Sequence, residues 1–312
     1  MRNRHPIDLE ALSTLFPHRI ASAADLIDLG LTGTTVKRRC SPGGPWQRLL
    51  PGILLLDSTA PTREQLVQAA LRYAGRDAIV TGADALALHG ARTAIPGGRI
   101  HLLMPCKRFV RSSASVLVER TASPPRPVLR NGLLTAPLAR AAVDTARRID
   151  NRALVAALFA EMVFHKGIRL DELNTEVVMG KRRGSTLCQE VLHDIGERIR
   201  AGVASSARDL VLRAGLPPPQ WNVPVDDARG NPLGTVTGAW DDAKLAWDVH
   251  AFDFDPAPAS YPTALKRGSR LAATGLLVLH TPAAQLRSDP EGVIADLTAI
   301  FAQAHAESCP SS

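Results

Sequence analysis

Two groups of residues in this 312-residue sequence have types and spacings that could do chemistry. The first is Thr34, Thr35, Lys37, Arg38 and Arg39, followed after a Gly-Pro-rich break by Gln47 and Arg48. From Gly30 to Leu56 the only charged residues are Lys37, Arg38, Arg39 and Arg48, all of them basic. A helix carrying positive charge and hydroxyl side chains suits a DNA major groove, and a hairpin behind it can rest on the neighbouring phosphates. Threonine can meet a thymine methyl or a phosphate, and Arg38 has the fork that guanine accepts. Arg39 and Arg48 suit phosphates, which position a protein without reading sequence; Gln47 and Arg48 reach outward from the hairpin. The second group is Asp248 and His250, with Thr237 on the preceding strand and Asp241 and Asp253 nearby. Residues two apart on a strand share a face, so this carboxylate and imidazole could approach one divalent metal. Each group has a plainer reading: a solvated helix face on a protein-binding domain, and a polar strand face in a structural role.

Helices and turns must hold the first group. A helix is expected over Asp8–Phe16 with Leu9, Leu12 and Leu15 inward, and a second over Ala23–Leu29 with Leu26 and Leu29 inward. Ser22 reads as the N-cap of the second, with Asp25 three residues on. Gly30 ends it. Thr32 caps a third helix to about Cys40, held inward by Leu31 and Val36. Ser41-Pro42-Gly43-Gly44-Pro45 cannot be helical. Trp46–Leu50 and Gly52–Leu56 read as strands about Pro51-Gly52, with Trp46 packed beneath. Helices are expected at Thr62–Tyr73, Gly82–His89, Pro137–Arg148, Arg152–His165, Asp171–Val178 and Leu187–Ile199. Strands are expected at Ile79–Thr81, Ile100–Met104 and Val116–Glu119, with a turn at Asn131-Gly132. Lys107, Arg108 and Arg111 form one basic loop and Lys181–Arg183 another, each either plain surface or an added DNA contact.

Charge is uneven along the chain. Residues 1–200 carry 29 Lys/Arg against 18 Asp/Glu, and residues 201–312 carry 8 against 12. A basic front on an acidic back suggests that the front meets a polyanion. The four cysteines lack C-x-x-C spacing and make no zinc ribbon, and His89, His101, His165, His193 and His280 are dispersed without metal-ligand spacing. No apolar run approaches membrane length and no signal peptide is read, so a cytoplasmic, reduced protein without membrane contact is expected.

From Val203 the pattern reads helix (Ala207–Ala214), three strands (Gln220–Val225, Leu233–Ala239, Leu245–Val249), a Pro-rich loop (Asp255–Pro262), helix (Thr263–Ala273), strand (Gly275–His280) and helix (Pro290–Ala304). That order is the one found in restriction-endonuclease cores. With it the whole chain resembles proteins that join an AbiEi-antitoxin-like winged-helix front to a very-short-patch-repair-like endonuclease domain. The residues carrying the resemblance are Trp46–Gly52, Pro137–Arg148, Arg213–Pro217, Trp221-Asn222, Ala239-Trp240 and Leu279–Pro282. It implies an α/β multidomain protein: a winged helix-turn-helix (1–60), a central α/β domain with a helical end (61–200) and an endonuclease-like domain (201–312). It also implies duplex DNA as partner, with a toxin protein and a second copy of the chain as further candidates.

The chain departs from that family where catalysis would sit. Members with an intact site carry Val-Asp where this chain has Val236-Thr237, and Glu-x-Asp where it has Asp248-Val249-His250. A helix glutamate is missing around Val203–Arg208. One carboxylate holds Mg²⁺ mainly through water and substrate. The expectation is therefore a DNA-binding regulator with a vestigial, inactive nuclease site at Thr237, Asp248 and His250, no metal and no cofactor. The alternative is a Mg²⁺-dependent DNA endonuclease using Asp248.

Overall fold

The computed structural model describes residues 9, 11–180, 183–227, 229–250, 270–271 and 273–308. They divide into two compact units, Met1–Leu192 and His193–Ser312. The front part read from the sequence, and the central part as far as Leu192, fall in the first unit.

The first unit opens with α1 (Leu12–Leu15), a 3-10 turn (Pro17–Arg19), β1 (Ile20–Ser22), α2 (Ala23–Asp28) and α3 (Gly33–Arg39). The hairpin β2 (Gln47–Leu50) and β3 (Ile53–Leu55) follows, and an antiparallel three-stranded sheet forms in the order β1-β3-β2. Ser22 caps α2 as its sequence implies: its hydroxyl accepts from Asp25 N, and the Asp25 carboxylate accepts from Ser22 N. Leu12, Ala21, Leu26, Leu31, Val36, Trp46, Leu54 and Leu56 make one core. Burying a side chain of that size is worth about 1.5–3 kcal/mol.

The inward face is narrower than periodicity alone implied. Leu15 is 66% exposed and Leu29 48%, because α1 spans only four residues and Leu29 sits at the C-cap of α2. Strand β1 was not foreseen; it pairs Ile20 with Leu55 and Ser22 with Ile53. Asp8, the expected first residue of α1, lies outside the described residues.

Helix α4 (Arg63–Ala74) packs on β1, β2 and β3 and also on β4 and β5. Arg72 donates to Ile20 O at 2.7 Å, and Arg63 meets Asp84 at 2.7 Å, so the front sheet and the next layer share one helix. That layer is a five-stranded mixed sheet, β6-β5-β4-β8-β7: β4 (Ile79–Thr81), β5 (Ile100–Pro105), β6 (Val116–Thr121), β7 (Val128–Arg130) and β8 (Leu133–Thr135). Asn131 and Gly132, both at positive φ, make the tight β7–β8 turn. Against it lie α5 (Gly82–Leu88) and α6 (Leu138–Ala146), then α7 (Arg152–Lys166) and α8 (Leu170–Met179). Every residue of α6 from Ala139 to Ala146 is buried, which its run of alanines permits by letting neighbours approach closely.

Helix α9 runs unbroken over Ser185–Arg213. Separate helices at Leu187–Ile199 and Ala207–Ala214 were expected; Gly196 and Gly202 weaken a helix by about 1 kcal/mol each but do not stop it. Gly215, at φ 66°, ends it. The second unit's sheet is β12-β11-β10-β9: β9 (Gln220–Asp226), β10 (Pro232–Trp240), β11 (Leu245–His250) and β12 (Leu277–Pro282). The first three are antiparallel, and β12 runs parallel to β11. Two helices follow, α10 (Gln285–Ser288) and α11 (Pro290–Ser308). Trp240, Leu245, Trp247 and Val249 pack with Leu210 and Val211 of α9 and with Val293 and Leu297 of α11. A second cluster joins Val225, Val236, Ala239, Ala246 and Leu271. The expected loop Asp255–Pro262, and the expected helix Thr263–Ala273 except Arg270, Leu271 and Ala273, lie outside the described residues. No helix among the described residues is long and apolar enough to cross a membrane.

Candidate nucleic-acid interface

Local hydrogen bonds set α3 in place. Thr32 caps it, its hydroxyl accepting from Thr35 N at 3.2 Å and lying 2.9 Å from the Thr35 hydroxyl. Val36 is buried, which turns Thr34, Lys37 and Arg38 to solvent; Thr35 is half-buried and its hydroxyl is engaged by Thr32. Lys37, Arg38 and Arg39 occupy the last turn, where positive charge meets the negative end of the helix dipole. Arg48 is exposed on β2. Among the described residues, Lys37, Arg38 and Arg48 have no ion-pair partner, so their charge is available to a polyanion.

Two members of the group point elsewhere. The Arg39 guanidinium lies 4.8 Å from the centroid of the Trp46 ring, and Trp46 N donates to Arg39 O at 3.1 Å. Arg39 is thus a brace between α3 and the hairpin rather than the outward phosphate contact expected. The chain can close there because residue 44 is glycine: a Cβ on it would lie 2.3 Å from Arg39 O. Gln47, expected to reach outward, donates its side-chain amide to Asp57 O at 2.9 Å and Thr59 O at 2.6 Å. It fastens the chain leaving β3. Burial pushes the Cys40 thiol up, and the opposing pull of Arg48 marks how near the hairpin's cation lies to the end of α3.

The second group lies on β10, β11 and β12. The antiparallel register ends at Gly238 opposite Trp247, and one residue further along lie Thr237 and Asp248; parallel register sets His280 beside Asp248. Asp248 is 3% exposed, with Oδ2 3.5 Å from His280 Nδ1. The Thr237 hydroxyl accepts from Val249 N at 3.0 Å, completing a backbone interaction within the sheet. Asp241 instead accepts from Gln220 Nε2 at 2.7 Å, and Asp253 lies outside the described residues. No cluster of three or more His, Cys, Asp or Glu among the described residues is arranged to hold a metal. Sequence reading set His280 aside as one of several dispersed histidines. Only the β11–β12 register brings it to Asp248, and nothing local announces that pairing.

The central sheet holds a buried polar network that the sequence did not reveal. Asp144 accepts from Thr81 Oγ1 at 2.8 Å and from Arg140 Nε at 2.9 Å. His101 Nε2 lies 3.2 Å from Glu119 Oε2, and Arg148 donates to the same oxygen at 2.6 Å. Gly82, at φ 68°, lies under His101, where a Cβ would come within 3.1 Å of the His101 Cβ. A cleft of about 540 Å³ opens beside α7, lined by Arg92, Thr93, Glu161, Phe164 and Lys166. Glu161 and Lys166 are already engaged there: Glu161 accepts from Arg92 N and Thr93 N, and Lys166 donates to Gly90 O.

No family model matches the sequence. Over 218 residues the chain is 26% identical to two uncharacterized proteins of Mycobacterium tuberculosis, MT2308 of strain CDC 1551 / Oshkosh and Rv2248 of strain ATCC 25618 / H37Rv. The match spans 70% of this chain and 79% of each relative. Among solved structures, that of the RV2827C protein from Mycobacterium tuberculosis superposes with a TM-score of 0.44 at 16% identity, over 59% of this chain and 74% of that one.

Proposed function

We propose that the chain is a DNA-binding regulator of repressor or antitoxin type, gripping duplex DNA with α3 and the β2–β3 hairpin as an N-terminal winged helix. The observation carrying this reading is the row of exposed cations, Lys37, Arg38 and Arg48, without an ion-pair partner among the described residues, on a helix and hairpin braced by Arg39 over Trp46. A helix with free positive charge beside a hairpin of like charge has the shape and sign that a major groove and its flanking phosphates accept. The central α/β layer then supports this reader or meets a partner, for which a toxin protein is the first candidate.

The second unit reads as an endonuclease-like domain that has lost its chemistry. In-line hydrolysis needs carboxylates open to a hydrated metal. Threonine at 237 adds no charge and spends its hydroxyl on Val249 N, while Asp248 is buried against His280.

The test is binding to DNA fragments captured from the organism's own genome. The parent should shift a discrete set of fragments, and a Lys37→Ala, Arg38→Ala, Arg48→Ala variant should lose that shift while keeping its melting temperature. A variant that binds as tightly as the parent removes α3 and the hairpin as the reader. Supercoiled plasmid incubated with Mg²⁺ should stay intact; nicking that disappears in Asp248→Ala would restore the nuclease reading.

A further inference from the structure

We propose that the β5–β6 connection carries a second nucleic-acid site, a platform on which an unpaired base of a single strand stacks. The site is separate from α3 and does not depend on the duplex reading above. Phe109 is 69% exposed, and the Arg120 guanidinium lies 5.3 Å from its ring centroid. Arg120 covers one face of the ring, which leaves a flat partner the other. Lys107, Arg111 and Arg120 are exposed and have no ion-pair partner among the described residues. The neighbouring charges are settled: Arg108 is held by Asp77 at 2.8 Å, and Glu119 is buried with His101 and Arg148. Residues 100–118 themselves contain no Asp or Glu.

The loop is built rather than loose. Cys106 N donates to Thr121 O at 3.0 Å, Arg108 N to Pro105 O at 3.1 Å and the Tyr73 hydroxyl to Arg111 O at 2.9 Å. Ser113 N donates to Val116 O at 2.8 Å, and Ser112 Oγ accepts from Val118 N at 2.9 Å. A large apolar ring held out in water on a pinned loop, among cations that no acid neutralises, matches what single-strand binding requires. Every base has a π-face for the ring, and the backbone has phosphates for the cations. Duplex DNA keeps its bases stacked inside and offers the ring nothing, so the expected ligand is single-stranded.

The experiment measures anisotropy of a labelled oligothymidylate and of a labelled duplex with the full chain. The parent should bind the single strand, and Phe109→Ala should weaken that binding by roughly 5- to 150-fold, the range for losing one stacked base. Duplex affinity and melting temperature should not change, because the ring is exposed. Phe109→Trp should restore binding, with fluorescence quenched as a base stacks on the new indole. A triple Lys107→Ala, Arg111→Ala, Arg120→Ala variant should flatten the salt dependence by about 0.7 per phosphate lost. Absent single-strand binding in the parent, or Phe109→Ala binding as the parent does, overturns the proposal. So does poly-glutamate competing as well as the oligonucleotide, since that would mean charge alone is read. An Arg38→Ala, Arg48→Ala variant run in parallel keeps the two sites apart: it should lose the duplex and retain the single strand.

Discussion

Arg39 at the end of α3 and Arg48 on β2 are equal in charge, yet they should respond to mutation in opposite ways. Each phosphate neutralised by a basic side chain contributes about −0.9 to the slope of log affinity against log salt. Lys37, Arg38 and Arg48 are exposed without ion-pair partners among the described residues, so three contacts give the parent a slope of about −2.7 per protomer on duplex DNA. A fourfold rise in salt should then weaken binding by about 40-fold. Arg48→Ala should bring the slope to about −1.8 and the loss to about 12-fold, with no change in stability. Arg39→Ala should leave the slope near −2.7, because that guanidinium lies over Trp46 rather than toward solvent. Its cost should appear in the urea midpoint, as a loss of about 0.5–2 kcal/mol for the cation–π contact. Fluorescence anisotropy over a salt series, paired with urea denaturation, reads both quantities on the same samples. If Arg39→Ala lowers the slope as much as Arg48→Ala and leaves stability untouched, Arg39 holds a phosphate and the brace is wrong.

Other consequences can be measured on the same chain. Asp144→Ala removes the buried carboxylate to which Arg140 and Thr81 both donate and should cost about 3–5 kcal/mol; that corresponds to roughly 6–20 °C by calorimetry, and a loss under about 1 kcal/mol would show the network to be idle. His89 lies 2.9 Å from Ala136 O, and burial holds its pKa below the usual imidazole value. The folded state therefore prefers neutral His89, and stability should be present above pH about 6.5 and drain away as pH falls from there toward the lowered folded value. His89→Gln should flatten that limb of a stability–pH curve, and an unchanged limb would assign the titration elsewhere. Native alkylation at pH about 8 should label exposed Cys106 and spare Cys188, whose thiol burial pushes up to about 11; mass spectrometry after brief iodoacetamide treatment decides it.

What could be read from the sequence was what local hydrogen bonding determines. The helix starts expected at Ser22, Thr32 and Thr62 fall within one residue of the structure, because each side chain accepts from the backbone N–H three residues on. The solvent side of α3 followed from the single buried Val36 in a seven-residue helix. What stayed hidden depends on partners far along the chain. β1 is three residues long and exists because Leu55 lies opposite Ile20. His280 meets Asp248 through a parallel pairing across 32 positions, and Arg148 meets Glu119 across 29. Arg39 looked like a free cation because its stacking partner, seven residues on, is brought back by a turn that only a glycine at 44 permits. Gln47 was misplaced for a similar reason: its acceptors lie 10 and 12 residues beyond it.

The close fit of Gly82 beneath His101 narrows what position 82 can become. Any residue other than glycine at 82 must hold a positive φ and also press a Cβ to 3.1 Å from the His101 Cβ and 3.2 Å from its Nδ1, so drift at 82 is strained twice over. Exchanging His101 for a smaller side chain would not open it, because the nearest atom is the His101 Cβ, which every residue but glycine keeps. Orthologues should therefore keep glycine at 82 whatever stands at 101.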